Sequence, residues 1–197
     1  MGFTSAGLDL MLNAIKGTNP TVPITHVGAF DASPALTSVT GVTSTDTFTK
    51  TSHGMANGTV VVLSALTGGT GLNVQRVYFV IGQTANTFQL STTSGGSAVD
   101  LGTDVTSVTV TPYVEISGGS YARQAIAFNA SVDGAMDDST NGAVIPIPAA
   151  ATVDAIGLFS ASTAGTLDFF TVVTAETFAG AGNYTVNDAD LTLAPTM

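Results

Sequence analysis

The segment Thr25-His26-Val27-Gly28-Ala29-Phe30-Asp31-Ala32-Ser33 returns near the other end of the chain as Asp154-Ala155-Ile156-Gly157-Leu158-Phe159-Ser160-Ala161-Ser162. From the third position on, both copies read branched apolar, Gly, apolar, Phe, polar, Ala, Ser, the pattern of a short strand running into a turn. Two related strands far apart in sequence point to one β-domain. The material between them need not belong to it.

The composition agrees with a β-rich chain. At 197 residues and 44% apolar content the protein is large enough to bury a core, yet only 9% of its residues are charged, against roughly a quarter in ordinary globular domains. Thr, Ser, Asn and Gln must therefore supply the polar surface, and Thr and Val suit a pleated sheet better than a helix interior. The formal charge of −10, with only Lys16, Lys50, Arg76 and Arg123 positive, argues against nucleic-acid binding, because phosphates would be repelled. Few long charged side chains obstruct close contact, which suits a protein that packs into an assembly. The absence of Cys removes disulfides, thiolate metal sites and thiol nucleophiles. Residues 1–17 lack a basic region followed by an apolar run, and no stretch approaches the length of a membrane span, so neither a signal peptide nor a membrane partner is expected.

Leu8, Met11, Leu12 and Ile15 recur at helical spacing, with Ser5 as cap and Gly17 as stop, predicting a helix over residues 5–16. It either docks on a partner or covers a face of its own β-core. After the strand His26–Phe30 the character changes. Short Thr- and Val-rich strands are predicted at Thr47–Thr51, Thr59–Leu63, Val77–Ile81, Thr87–Ser91 and Val105–Thr111, separated by turns such as Asn57-Gly58 and Ser94-Gly95-Gly96. Phe48, Val60, Val62, Leu63, Val77, Phe79, Ile81, Phe88 and Leu90 would form a modest core of their own. We read this run as an insertion, the alternative being one continuous sandwich. Beyond Pro112 come extended pieces at Tyr113–Ser117, Tyr121–Asn129, Val144–Pro148, Ala155–Phe159 and Thr166–Thr174, a turn at Gly180–Gly182, and a closing strand Asp190–Leu193.

No catalytic constellation emerges, and no enzyme activity, cofactor or resident metal is expected. His26 and His53 fall on opposite sides of the expected domain junction and are read as a strand and a turn residue. Asp133-Gly134-Ala135-Met136-Asp137-Asp138-Ser139-Thr140-Asn141 is rich in oxygen donors but departs from calcium-loop spacing, so a solvated turn is favoured over a structural cation site. Gly68-Gly69-Thr70-Gly71 lacks the Lys and helix start of a phosphate loop. Glu115 and Glu176, the only glutamates, sit in no suggestive context for paired-carboxylate chemistry. Arg123, among small residues after a glycine turn, could hold a carboxylate bidentately, within the fold or across an interface. With Tyr113 and Tyr121 it forms the set of candidate interface residues.

A leading helix, Thr25 to Phe30, the stretch Ile116-Ser117-Gly118-Gly119-Ser120-Tyr121-Ala122-Arg123-Gln124-Ala125, and Asp154 to Phe159 together resemble a family of small virion proteins of tailed bacteriophages. Its members are variously labelled tail fibre, minor tail or head decoration proteins. The Gly-Gly-Ser-Tyr-Ala-Arg stretch is the most specific element, and about half the chain is covered. The middle of the chain departs from that compact pattern. Ser52 to Val61, Val77 to Ile81 and Ala85 to Leu90 are instead similar to a small β-module inserted in many phage structural proteins.

The expected fold is therefore a jelly-roll-like antiparallel β-sandwich with an N-terminal helix, residues 1–34 and 112–197, carrying a small inserted all-β domain, residues 35–111. Insertion requires that the chain leave and rejoin the core at neighbouring points. The resemblance implies a head decoration or minor capsid protein on the capsid exterior, assembled in the host cytoplasm. Its partners would be the major capsid protein and copies of itself, a trimer being the first expectation. A minor tail or tail-fibre protein and a host-glycan binding module are the alternatives.

Overall fold

The computed structural model describes residues 2–3, 24–74, 76–128 and 142–186. The helix expected over 5–16, the acidic loop Asp133–Asn141 and the strand expected over 190–193 lie outside them. Among the described residues every regular element is a β-strand, and every printed pairing is antiparallel. Strand β1 is the two-residue Gly2–Phe3. The chain divides into two compact units, one containing Ala32–Val114 and the other Lys16–Asp31 with Glu115–Met197.

The first unit is a closed barrel. Its six strands are β3 (Leu36–Val42), β4 (Thr47–Thr49), β5 (Val60–Gly68), β6 (Val77–Ile81), β7 (Thr87–Ser91) and β8 (Val105–Glu115). They pair in the cyclic order β8, β3, β4, β7, β6, β5 and back to β8. Closure gives each of the six strands a partner on both sides. Alternate residues point inward: Val61 and Leu63, Tyr78 and Val80, Phe88 and Leu90, Val108 and Val110 line one apolar core with Val39 and Phe48, and Met55 and Leu101 join it from the connections. Phe48 and Phe88 are cross-strand partners whose rings stack at 5.4 Å.

Two features differ from the sequence reading. β3 was not anticipated, yet without it the ring would stay open. Val60, Val62, Val77, Phe79 and Ile81, expected inside the module's core, lie outside the barrel's core cluster; Val60, Val77 and Phe79 are buried, Val62 and Ile81 only half-buried. They occupy the opposite face of their strands, and Tyr78 and Val80 fill the interior instead. Tyr113 stands in the same outer row, opposite Val60, which in turn faces Phe79, and is itself buried.

The second unit is built on β2 (His26–Ala32), β11 (Ala151–Phe159) and β12 (Leu167–Phe178), with the short β9 (Gln124–Ala125) beside β2. A separate two-stranded sheet pairs β10 (Val144–Ile147) with β13 (Gly182–Thr185). The turn expected at Gly180–Gly182 is present as a bend through Ala181, and its last residue, Gly182, opens β13. Of the strand expected from Tyr121 to Asn129, Gln124–Ala125 pairs with β2, Ile126 N–H donates to Thr25 C=O and Phe128 forms an isolated bridge, while Asn129 lies outside the described residues.

The two repeated segments are hydrogen-bonded to each other. β2 and β11 run antiparallel with Gly28 opposite Gly157, so the copies are related by a local two-fold centred on the glycine pair. Phe30 and Phe159 stack at 6.0 Å and 11°. An ideal Cβ on Gly157 would lie 2.7 Å from Phe30 Cε2, and one on Gly28 would lie 3.0 Å from Phe159 Cε2. Each phenylalanine therefore occupies the space above the glycine of the opposite strand. That relation explains why the repeat keeps Gly and Phe two residues apart. Phe170 closes the row edge-on to Phe30 at 5.2 Å.

The chain leaves β2 for the barrel and returns along β8. Inside the barrel unit Ser33 N–H donates to Pro112 C=O at 2.9 Å, and inside the other unit Ile116 N–H donates to Ala29 C=O at 3.0 Å. The outgoing and returning segments thus lie side by side within each unit.

Candidate functional site

The polar residues that converge most tightly are Glu115, Tyr121 and Arg123, on the face of the glycine pair in the second unit. Glu115 is the first residue of that unit after the barrel. The turn through Gly118 and Gly119 folds the chain back so that Arg123 meets it. Arg123 Nε donates to Glu115 Oε1 and Nη2 donates to Oε2, both at 2.7 Å, a bidentate charge-assisted pair. Nη1 donates to the carbonyls of Ala161 at 3.1 Å and Ala164 at 2.6 Å in the β11–β12 hairpin loop. The guanidinium carbon lies 3.3 Å from the centroid of the Phe159 ring.

Tyr121 completes the cluster. Its hydroxyl accepts from Ala29 N–H at 3.0 Å and donates to Glu115 Oε1 at 2.9 Å. Burial, then the adjacent Glu115 carboxylate, push the phenol well above its ordinary value, so it stays protonated and remains a donor. An ideal Cβ on Gly28 would lie 2.8 Å from the Tyr121 hydroxyl and 3.1 Å from Glu115 Oε1. Glycine at 28 therefore admits both Phe159 and this cluster.

The side chains of Arg123 and Glu115 are 12% and 28% exposed. Four of the five guanidinium hydrogens are used within the unit, as are both carboxylate oxygens. Such saturation makes the group a clamp rather than a reactive centre. It joins the returning chain at Glu115, strand β2 at Ala29 and the hairpin loop at Ala161 and Ala164. Ala164 holds a positive φ of 53°, a conformation that costs an alanine free energy and that the bond from Arg123 helps maintain. The other side of the hairpin is tied by Ser160, whose Oγ accepts from Thr166 N–H at 2.9 Å, and by Thr166 Oγ1 donating to Asp168 Oδ1 at 3.0 Å. Asp168 is the extra residue of a β-bulge between the pairs Leu158–Phe169 and Phe159–Leu167. It is 2% exposed, and burial pushes its carboxyl above the ordinary range.

Of the three candidate interface residues, Arg123 and Tyr121 meet in this clamp, and Tyr113 lies in the buried outer row of the barrel. Glu115 had no sequence signal, because its partner stands eight residues on across a turn. His26 accepts or donates at Nδ1 with Thr25 Oγ1 at 2.8 Å. His53 is buried edge-on to Phe88, with Nδ1 accepting from Met55 N–H, so that Nε2 carries the hydrogen toward Thr87 C=O. Each thus does structural work in its own unit. Among the described residues no three His, Asp or Glu side chains group to hold a metal ion. No protein-family model, curated protein or solved structure matches the chain.

Proposed function

We propose that this chain is a structural protein of a tailed-bacteriophage virion, a head decoration or minor capsid protein that binds the outer capsid surface and stabilises it. One observation carries the reading. The segments whose sequence resembles that family, Thr25–Phe30, Gly118–Arg123 and Asp154–Phe159, are the ones that build the glycine–phenylalanine pair and the Arg123 clamp. They make one architectural unit, the part of such a protein expected to persist while inserted modules change. In this reading the second unit corresponds to the jelly-roll-like sandwich, and the barrel is a displayed module.

The mechanism is adhesion. A symmetric oligomer, a trimer first, would contact neighbouring major capsid subunits and stabilise the shell by mass action for as long as it is bound. Arg123 and Tyr121 would serve that contact by fixing the exposed Ser162–Gly165 tip. The reading assigns no catalytic role, cofactor or metal. Cosedimentation of the purified protein with shells of the matching major capsid protein tests it: saturable binding is expected. Failure to bind shells, with binding to tails, would transfer the protein to the minor tail or tail-fibre class.

A further inference from the structure

The connection between β4 and β5 holds Asn57-Gly58, an asparagine followed by the residue that least obstructs attack on its side-chain amide. Both residues are exposed, and a Cβ on Gly58 would meet nothing within 4 Å. Thr59 N–H donates to Ala56 C=O at 3.1 Å and Gly58 has a φ of 87°, as the third position of a type II turn requires. Thr59 Oγ1 ties the turn a second time by accepting from Ala56 N–H at 3.2 Å.

The turn also continues the β5–β6 ladder beyond the pair Val60 and Phe79. Gly58 N–H donates to Val80 C=O at 2.7 Å, and Val80 N–H donates to Thr59 C=O at 2.9 Å. One step further, Asn57 Oδ1 accepts from Gln83 N–H at 3.0 Å, so a side-chain carbonyl takes the place of a backbone one. Val80 belongs to the barrel's interior. The groups that close this end of the ladder are also the reactants of succinimide formation. Once hydroxide removes its proton, the Gly58 nitrogen attacks Asn57 Cγ; the N–Cγ bond forms, the Cγ–Nδ2 bond breaks and ammonia leaves. Water then opens the ring to aspartate or to isoaspartate, whose backbone is one carbon longer. In the closed ladder the Gly58 proton is committed to Val80 and the Asn57 amide to Gln83.

We propose that Asn57-Gly58 is a self-modification site gated by the barrel, shut while this end of the β5–β6 seam is paired and converted to isoaspartate when it opens. The gate is local, because only the Gly58 and Gln83 bonds must break to free both reactants. The added backbone carbon lies between the anchors at residues 57 and 58, so Gln83 and Val80 can no longer both be met in register. Conversion to isoaspartate therefore fixes the end open. Conversion to plain aspartate leaves the backbone unchanged, and its carboxylate still accepts from Gln83 N–H. The inference concerns the barrel alone and stands apart from the virion reading.

Peptide mapping by mass spectrometry of the full chain, incubated folded or in urea at the same mildly alkaline pH, tests it. In urea Asn57 should convert at a rate similar to that of Asn141-Gly142, the same dipeptide elsewhere in the chain. In the folded chain Asn57 should convert at least ~tenfold more slowly than in urea, the factor imposed by an opening cost of about 1.4 kcal/mol. Thr59→Ala, which removes the Oγ1 tie, should speed conversion in the folded chain and leave the rate in urea unchanged, whereas Thr59→Ser, which keeps the hydroxyl, should match the parent. Hydrogen exchange of the isoaspartyl chain should show lost protection at the Gly58 and Val80 amides, and Asn57→Asp should retain it. No conversion of Asn57 in urea, equal rates in the folded and unfolded chain, a Thr59→Ala protein that converts no faster than the parent, or an isoaspartyl chain still protected at Val80 would overturn the proposal.

Discussion

Adding one methyl group at Gly157 tests the relation between the two repeats. The ideal Cβ would lie 2.5 Å from Leu167 Cδ1 and 2.7 Å from Phe30 Cε2, about 1 Å inside the ordinary carbon–carbon separation of ~3.5–4.0 Å. Both neighbours are buried, and Phe30 is further held by Phe159 and Phe170. Overpacking of this kind costs about 1–3 kcal/mol. Replacing glycine by alanine recovers about 0.4–1 kcal/mol through the unfolded chain. Gly157→Ala is therefore expected to destabilise by a net ~1–2 kcal/mol. With a urea slope of about 1–3 kcal/mol/M, that lowers the midpoint by roughly 1 M at unchanged slope.

The decisive comparison is the double-mutant cycle. Phe30→Leu removes the ring that the methyl group strikes, so the pair Gly157→Ala with Phe30→Leu should be less damaging than the sum of its parts by about 0.5–3 kcal/mol. Gly157→Ala with Phe48→Leu, whose second site is in the barrel core, should be additive within ~0.5 kcal/mol. Hydrogen exchange should place the loss of protection in peptides of β2, β11 and β12. Additivity with Phe30→Leu, or a Gly157→Ala protein more stable than the parent, would refute the reasoning.

Two further perturbations address the clamp and the bulge. Arg123→Met should cost about 2–3 kcal/mol, because it leaves the half-buried Glu115 carboxylate without its cation and frees the Ala161 and Ala164 carbonyls. Urea unfolding reads that cost, and limited proteolysis should show faster cleavage within residues 160–165; Arg123→Lys, which lacks the planar fork, should recover less than half of it. Asp168→Asn tests the buried carboxyl through pH. Because burial raises the folded-state pKa above the unfolded value of about 3.9, Asp168 contributes most below that value. Its contribution is lost as pH rises through the folded pKa. Parent and variant should therefore diverge in favour of Asp168→Asn as pH rises above about 4, and a stability difference independent of pH would contradict this.

Strands with strong punctuation were legible from sequence. Val77–Ile81 and Thr87–Ser91 have the same bounds in the structure as in the sequence, because glycine and asparagine turns bracket short apolar runs. β3 was not legible. Ser38 holds a positive φ and two irregularities interrupt its pairing with β8; its apolar residues Leu36, Val39 and Val42 recur every third position, and the alternation shows only in the burial of Val39 and Gly41, the latter without a side chain to signal it. Face assignment also failed where both faces of a strand are covered. In Val77-Tyr78-Phe79-Val80-Ile81, periodicity cannot distinguish Tyr78 and Val80 as the barrel's interior residues.

For the candidate site, similarity between the repeats marked both segments as strands but not as neighbours, since pairing is a property of topology. The functional pull of Arg123 toward a carboxylate was readable from its isolation among small residues. Its partner was not. Glu115 becomes visible only once Gly118 and Gly119 are known to reverse the chain.

The most direct test of the proposed virion role is whether this chain is present in purified tailed-phage particles and in how many copies, measured by quantitative mass spectrometry against the major capsid protein. A decoration or minor capsid protein distributed over the symmetric positions of the shell should be present at on the order of hundreds of copies. A count in single digits would contradict that placement.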